Sequence, residues 1–214
     1  MKPVVLPNII IMTSMKLSNL FITGCDKNTR WMLPWFQENF YDHNPAAELV
    51  VYDFDTFRTD LAGWFKKPAA MVDAARQAEN VCWLDTDMEI LGNLESIWNY
   101  VVPGKLGMVE DTPWSNRRGE TWHNSGTVLF KSKPPILDTW ANLVKTSTEV
   151  GDQEVLHEYI RQGMNRLVHI ETIPATYNCL RLMTLDGIEP NHILIRHHTG
   201  YKGKDHIKRL MTNG

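Results

Sequence analysis

The sequence lacks the cysteine pattern of a disulfide framework or a metal knuckle. Its three cysteines, Cys25, Cys82 and Cys179, are odd in number, widely spaced and nowhere arranged as Cys-x-x-Cys. That predicts reduced thiols and a cytoplasmic compartment. No stretch nears the ~20 apolar residues that a bilayer span requires, so no membrane span is expected. Charge of one sign is also missing: the formal net charge is -3, with Lys and Arg scattered. A nucleic-acid partner is therefore not expected. Neither a Gly-x-Gly-x-x-Gly nor a Walker A signature occurs, which counts against a Rossmann dehydrogenase and a P-loop enzyme. Residues 4–12 are largely apolar behind Lys2, but Pro7 and Asn8 interrupt them and no small-residue cleavage site follows. Met12 and Met15 stand as alternative starts, and residues 1–18 read as peripheral.

What is present is ordinary globular material, with 43% apolar and 22% charged residues in 214. That length suits one domain with a substantial core, and there is no repeat, low-complexity tract or linker. Strand-like and helix-like segments alternate. Residues 19–23 read as a strand breaking at Gly24, and residues 30–41 as a helix with Pro34 in its first turn. Residues 48–52 form the next strand. Residues 68–78 form a helix with Met71, Val72 and Ala75 on one face, and residues 81–84 a buried strand. This β-α-β-α-β order predicts an α/β fold with a mainly parallel sheet flanked by helices. Further on, strands are expected at 106–109, 127–130, 167–173 and 192–195, and helices at 136–146 and 153–161. A polar loop would hold Pro113, Trp114 and Arg117-Arg118, and Gly200 would open a basic tail.

The most informative stretch is Asp85-Thr86-Asp87, directly after the apolar run Val81-Cys82-Trp83-Leu84. Ligands of open α/β sheets bind outside the C-terminal ends of strands. In an extended segment residues i and i+2 point the same way, so Asp85 and Asp87 would converge on one target. Two adjacent carboxylates repel unless a cation joins them, and a hard divalent ion is the usual partner. The segment from Ile195 to Lys204 offers a third ligand, His197 or His198. Its Gly200 and Gly203 would admit an anion to the backbone, with Lys202 and Lys204 adding positive charge. Without such a role this segment reads as an exposed basic tail. Asn124-Ser125-Gly126 precedes a strand, and Asp152-Gln153 stands at the mouth of a helix, where Asp152 alone reads as an N-cap.

Taken in order, these segments resemble the GT-A-fold glycosyltransferases, most nearly the glycogenin-like and galactinol-synthase-like retaining group. Phe21-Ile22-Thr23-Gly24 resembles the family's first strand, and Phe65-Lys66-Lys67-Pro68 its Lys/Arg-Pro-helix segment. Asp85-Thr86-Asp87 resembles its Asp-x-Asp, followed by Ile90 and Leu94 at the usual apolar positions. Asn124-Ser125-Gly126, Asp152-Gln153, Pro174-Ala175-Thr176-Tyr177-Asn178 and His197-His198-Thr199-Gly200 resemble four later family motifs. The similarity runs from about residue 19 to 204. One departure is that Gly203 stands where the family's phosphate-binding lysine would fall, leaving Lys202 and Lys204 as alternatives. The short chain resembles compact viral or bacterial members, including one domain of a larger chlorella-virus glycosyltransferase, for which host cytoplasm would be the location.

The resemblance implies a single GT-A domain over residues 1–214, or one domain of a longer protein. It implies transfer of a hexose from a UDP-sugar to a glycan or other hydroxyl acceptor, with Mn²⁺ or Mg²⁺ on Asp85, Asp87 and His197. Thr23, Gly24, Asp55, Lys67, Thr86, Gly200, Lys202 and Lys204 would surround the nucleotide sugar. Asn124, Asp152 and Gln153 would face the sugar and carry catalysis, with Asp152 as the candidate general base. Trp114, Trp122 and Arg117-Arg118 would form the acceptor platform. Two other readings stand beside it. A haloacid-dehalogenase-type phosphatase would use Asp85 as nucleophile, although Glu89 and Leu156 occupy positions where its signature wants other residues. A non-catalytic carbohydrate-binding module could share the fold, though it would not require the metal set.

Overall fold

The computed structural model describes residues 16–161 and 165–213. The apolar residues 4–12 and the alternative starts Met12 and Met15 lie outside the described residues. The chain runs β1 (Leu17–Cys25), α1 (Leu33–His43), β2 (Leu49–Asp53), α2 (Lys67–Ala74), β3 (Ala78–Leu84), β4 (Met88–Ile90) and β5 (Leu106–Glu110). It continues through α3 (Thr112–Arg118), β6 (His123–Lys131), α4 (Pro135–Leu143), α5 (Asp152–Ile160), α6 (Asn165–His169) and β7 (Ile170–Ile173). It ends with β8 (Cys179–Leu180), α7 (Arg181–Leu185), β9 (Ile195–His197) and α8 (Gly200–Asn213).

Six strands form a central sheet in the order β2-β1-β3-β6-β5-β7, and β4-β9-β8 form a small second sheet. The first half is parallel as the strand-helix alternation predicts, with β1 pairing β2 and β3 in parallel. β6 runs against both β3 and β5, so the sheet is mixed. Alternation along each strand divides the core between two faces. Leu20, Ile22, Val81, Trp83, Val128 and Phe130 face α2, α4 and α5. Phe21, Cys82, Leu84 and Leu129 face α1, the small sheet and Ile207 of α8. Burial on both faces explains why residues 81–84 read as one continuous apolar run.

Four local expectations are corrected. Residues 112–118 form α3 rather than a loop: the Asp111 side chain caps it by accepting from the Trp114 amide, and Pro113 stands in its first turn. Asn124-Ser125-Gly126 lies inside β6 rather than before it. The stretch 167–173 splits into the end of α6 and the short β7. The basic tail is a helix, α8, whose Gly203 has no room for a Cβ because the His198 carbonyl lies 1.9 Å from where it would stand. Close packing against the His198 backbone therefore requires glycine at 203. Cys25, Cys82 and Cys179 are buried and unpaired, in keeping with reduced thiols. Among the described residues, no helix is long and apolar enough to cross a membrane.

Candidate active site

The parallel strands β1 and β3 deliver their C-terminal ends to one cleft of about 540 Å³. At the end of β3 the Asp85-Thr86-Asp87 triplet makes a turn, rather than an extended segment, and leads straight into β4. β4 pairs antiparallel with β9, setting Met88 opposite His197, and the His198 amide donates to the Asp87 carbonyl at 2.9 Å. The small sheet thus carries an imidazole across to the carboxylates. His197 Nε2 lies 3.1 Å from Asp87 Oδ1 and 3.9 Å from Asp85 Oδ2. Gly126 makes this possible, since a Cβ there would stand 2.4 Å from His197 Cε1.

A chain of amides fixes the histidine. His197 Nδ1 donates to Asn178 Oδ1 at 2.9 Å, Asn178 Nδ2 donates to Asn124 Oδ1 at 2.9 Å, and Asn124 Nδ2 donates to Gln153 Oε1 at 3.0 Å. With one proton held at Nδ1, Nε2 donates to Asp87 when the ring is charged and offers its lone pair to a cation when the ring is neutral. Burial alone disfavours the charged imidazole, but the carboxylates of Asp87 and Asp85 outweigh it and raise the His197 pKa. Burial likewise opposes ionisation of Asp87, yet His197 and then Lys204 hold its carboxyl below the usual range.

Beside this cluster stands a second, buried one. Lys67, the first residue of α2, places Nζ 3.0 Å from Asp85 Oδ1 and 3.4 Å from Asp152 Oδ2, and donates to the Ser125 carbonyl at 3.1 Å. Burial opposes its charge, but Asp152 and Asp85 together raise its pKa. Asp152 is pushed up by burial, only partly countered by Lys67. Asp152 is not an N-cap: Gly151 takes that position, and Asp152 begins α5 facing Lys67. α2, α5 and α8 all begin at residues lining the cleft, Lys67, Asp152 and Gly200. Helix N-termini bordering a cleft favour an anion there.

The other sequence candidates divide. Gly24, Thr86, Gly200 and Lys204 line the cleft, whereas Thr23, Asp55 and Lys202 do not. Thr23 is buried within β1, and its Oγ1 has no partner. Asp55 is paired to Arg30 at 3.0 Å. Lys202 is exposed on α8. Gly24 is needed because the rings of Phe54 and Trp83, stacked at 6.0 Å, leave a Cβ there only 2.6 Å from Phe54. His198 bonds Glu89 at 3.1 Å instead of joining the Asp85, Asp87 and His197 group. The proposed acceptor aromatics also lie elsewhere: Arg118 covers the Trp114 ring at 5.0 Å and Trp122 stacks on His157 at 3.5 Å.

Several site residues escaped the sequence reading. Asp26 orders the loop after β1 by accepting from the Asn28 and Thr29 amides at 3.0 Å, and that loop lines the cleft. Trp83 donates from Nε1 to Asp85 Oδ1 at 2.6 Å. Its position two residues before Asp85 in a strand was the available signal. Trp64, in the turn before α2, lines the cleft with no sequence pattern to mark it.

The donor set of two carboxylates and one imidazole suits a hard or borderline divalent ion such as Mn²⁺ or Mg²⁺. All three ligand atoms lie within 4.8 Å of one another. Ligands cis on an ion of this class stand about 3 Å apart, which the Asp87–His197 spacing matches.

No protein-family model matches the sequence, and no curated protein matches it. Solved structures do match. The galactosyltransferase LgtC, in complex with donor and acceptor sugar analogues, is 14% identical at a TM-score of 0.63, covering 91% of this chain and 95% of that one. A glycosyltransferase involved in glycosylation of the PBCV-1 major capsid is 16% identical at 0.63, covering 91% of this chain and 99% of that one. GlyE of Streptococcus pneumoniae TIGR4 is 15% identical at 0.61, covering 86% of this chain and 55% of that one. The six-stranded mixed sheet with its flanking helices is the GT-A glycosyltransferase fold.

Proposed function

We propose that the chain is a metal-dependent glycosyltransferase of the glycogenin-like type, moving a hexose from a UDP-sugar to a glycan or other hydroxyl acceptor. The observation that carries this reading is the convergence of Asp85, Asp87 and His197 at the mouth of a cleft ringed by three helix N-termini. Asp87 and His197 would hold Mn²⁺, or Mg²⁺ in its place, with Asp85 completing the set. When bound, the ion supplies Lewis-acid stabilisation of the charge growing on a departing nucleoside diphosphate.

The chain's own residues divide the remaining work. Lys204, one turn into α8, adds a charge-assisted contact to the diphosphate, and Gly200 opens the helix end toward it. Thr86 and the Gly24 and Asp26 loop bound the nucleotide. Asn124 and Gln153, fixed by their mutual hydrogen bond, meet the sugar hydroxyls. Lys67 holds Asp85 and Asp152 apart in charge and together in space. Asp152, with its pKa raised by burial, is the candidate proton acceptor at the sugar. A single GT-A domain spanning the chain, acting in a host-cell or bacterial cytoplasm, fits this reading.

The phosphatase alternative asks for Asp85 as nucleophile, but Glu89 and Leu156 stand where its signature wants other residues. A silent binding module would not need the amide chain that orients His197. The test is manganese-dependent hydrolysis of a panel of UDP-hexoses. Turnover of one or more, lost on chelation, supports the reading, and no turnover or binding of any nucleoside diphosphate sugar contradicts it.

A further inference from the structure

Trp64 is a large aromatic left 56% exposed in a turn, Gly63–Lys66, that leads directly into α2. It shares the cleft lining with Val150, Gly151, Gln153 and Glu154. Its indole N–H donates to the Val150 carbonyl at 3.2 Å, which fixes the ring's edge and leaves exposed ring surface on the cleft. Gly151 lets the Glu154 carboxylate lie close to the ring's edge: a Cβ there would stand 2.5 Å from Glu154 Oε2 and 3.7 Å from Trp64 Nε1. Lys67 follows three residues later in the chain and lines the same cleft.

We propose that Trp64 is the stacking platform of an acceptor subsite that takes a pyranose ring. The role as acceptor subsite rests on the glycosyltransferase reading, whereas affinity for a saccharide does not. A pyranose presents one face of C–H groups, weakly positive and poorly hydrated, and this packs on the negative face of an indole. Its rim of hydroxyls needs polar partners, and the Glu154 carboxylate, near the ring's edge across Gly151, would supply one. A pinned ring also forfeits little rotamer freedom on binding. Trp114 and Trp122 have no such placement, since neither lines the cleft.

The test follows the indole N–H signals of the full chain, saturated with UDP and diamagnetic Mg²⁺, as methyl gluco-, galacto-, manno- and rhamnopyranosides are added, with glycerol as control. The expected result is a saturable shift of the Trp64 signal by at least one pyranoside and none by glycerol. Trp64→Ala should weaken that pyranoside about tenfold or more, measured by ligand-observed NMR, and leave the thermal shift from UDP with Mn²⁺ in place. Trp64→Phe, which keeps a ring face but deletes the N–H, should bind within about threefold of the native chain. No shift by any pyranoside, equal binding by Trp64→Ala, or equal loss in Trp64→Phe and Trp64→Ala would overturn the platform. Absence of any UDP and Mn²⁺ shift in the native chain would instead strike the glycosyltransferase reading, and the saccharide titration of Trp64 would still be decided.

Discussion

Asn178 Oδ1 accepts from His197 Nδ1 at 2.9 Å, and this contact turns His197 Nε2 toward Asp87 at 3.1 Å. Asn178 is fully buried at the entry to β8, so its amide is held by packing as well as by Asn124. Such a partner sets both the tautomer and the angle of a ligating ring. Asn178→Ala should weaken Mn²⁺ binding by about 10–100-fold while the chain stays folded. Calorimetric titration with Mn²⁺ measures the first effect and circular dichroism the second. Unchanged affinity would show that β9 alone orients the imidazole.

Lys67 is buried between Asp85 and Asp152. Removing one partner of a buried charge set leaves the others uncompensated, at about 3–5 kcal/mol. Lys67→Met keeps most of the side-chain volume and should lower unfolding stability by that order, read from denaturant titration. A loss under about 1 kcal/mol would mean that water or protonation of Asp152 replaces the ammonium.

Gly126 lies in β6 with no room beside it. A Cβ would stand 2.4 Å from His197 Cε1 and 2.7 Å from Met88 Cε. Gly126→Ala should displace the imidazole and cost about 1–3 kcal/mol of stability from overpacking. The diagnostic outcome is a larger proportional loss in Mn²⁺ affinity than Gly107→Ala produces, since a Cβ at Gly107 would press on Ile173 and Leu129 instead of His197.

His123 is buried, with Nε2 paired to Thr172 and Nδ1 without a partner. Burial first, then Arg166 and His157, pushes its pKa down to about 4. The unfolded chain therefore binds a proton near pH 6.5 that the folded chain refuses until about pH 4. This contribution to stability is full above pH 6.5 and is lost as pH falls through that window, by at most on the order of 3 kcal/mol. His123→Asn should flatten the acid limb of a stability-against-pH profile between those values. An unchanged limb would assign acid sensitivity to other groups.

Much of the fold was legible in the sequence because its signals are local. The buried run 81–84 and the Ala-rich helix before it follow from periodicity, and the parallel pairing of β1 with β3 follows from their alternation with helices. The antiparallel insertion of β6 was not legible, since no local pattern states which neighbour a strand will choose. The carboxylate pair of the candidate metal site was legible as Asp85 and Asp87, but the choice of His197 over His198 depends on β4–β9 register, which puts Met88 opposite His197. A shift of one residue would have turned the other imidazole inward. The placement of Asp55 and Lys202 outside the cleft lining was not legible for a similar reason: sequence gives charge, and only the fold shows Asp55 paired with Arg30 and Lys202 exposed on α8.

The central claim is that Asp87 and His197 hold a divalent ion against a nucleoside diphosphate, and melting of the chain with UDP and Mn²⁺ tests it most directly. Ligand at about a hundred times its Kd stabilises by roughly 2.7 kcal/mol. For a chain of 214 residues that is a rise in Tm on the order of 5–10 °C. The account predicts this rise only when UDP and Mn²⁺ are present together, and its loss in Asp87→Asn. A rise with UDP alone, or one that survives Asp87→Asn, would contradict it.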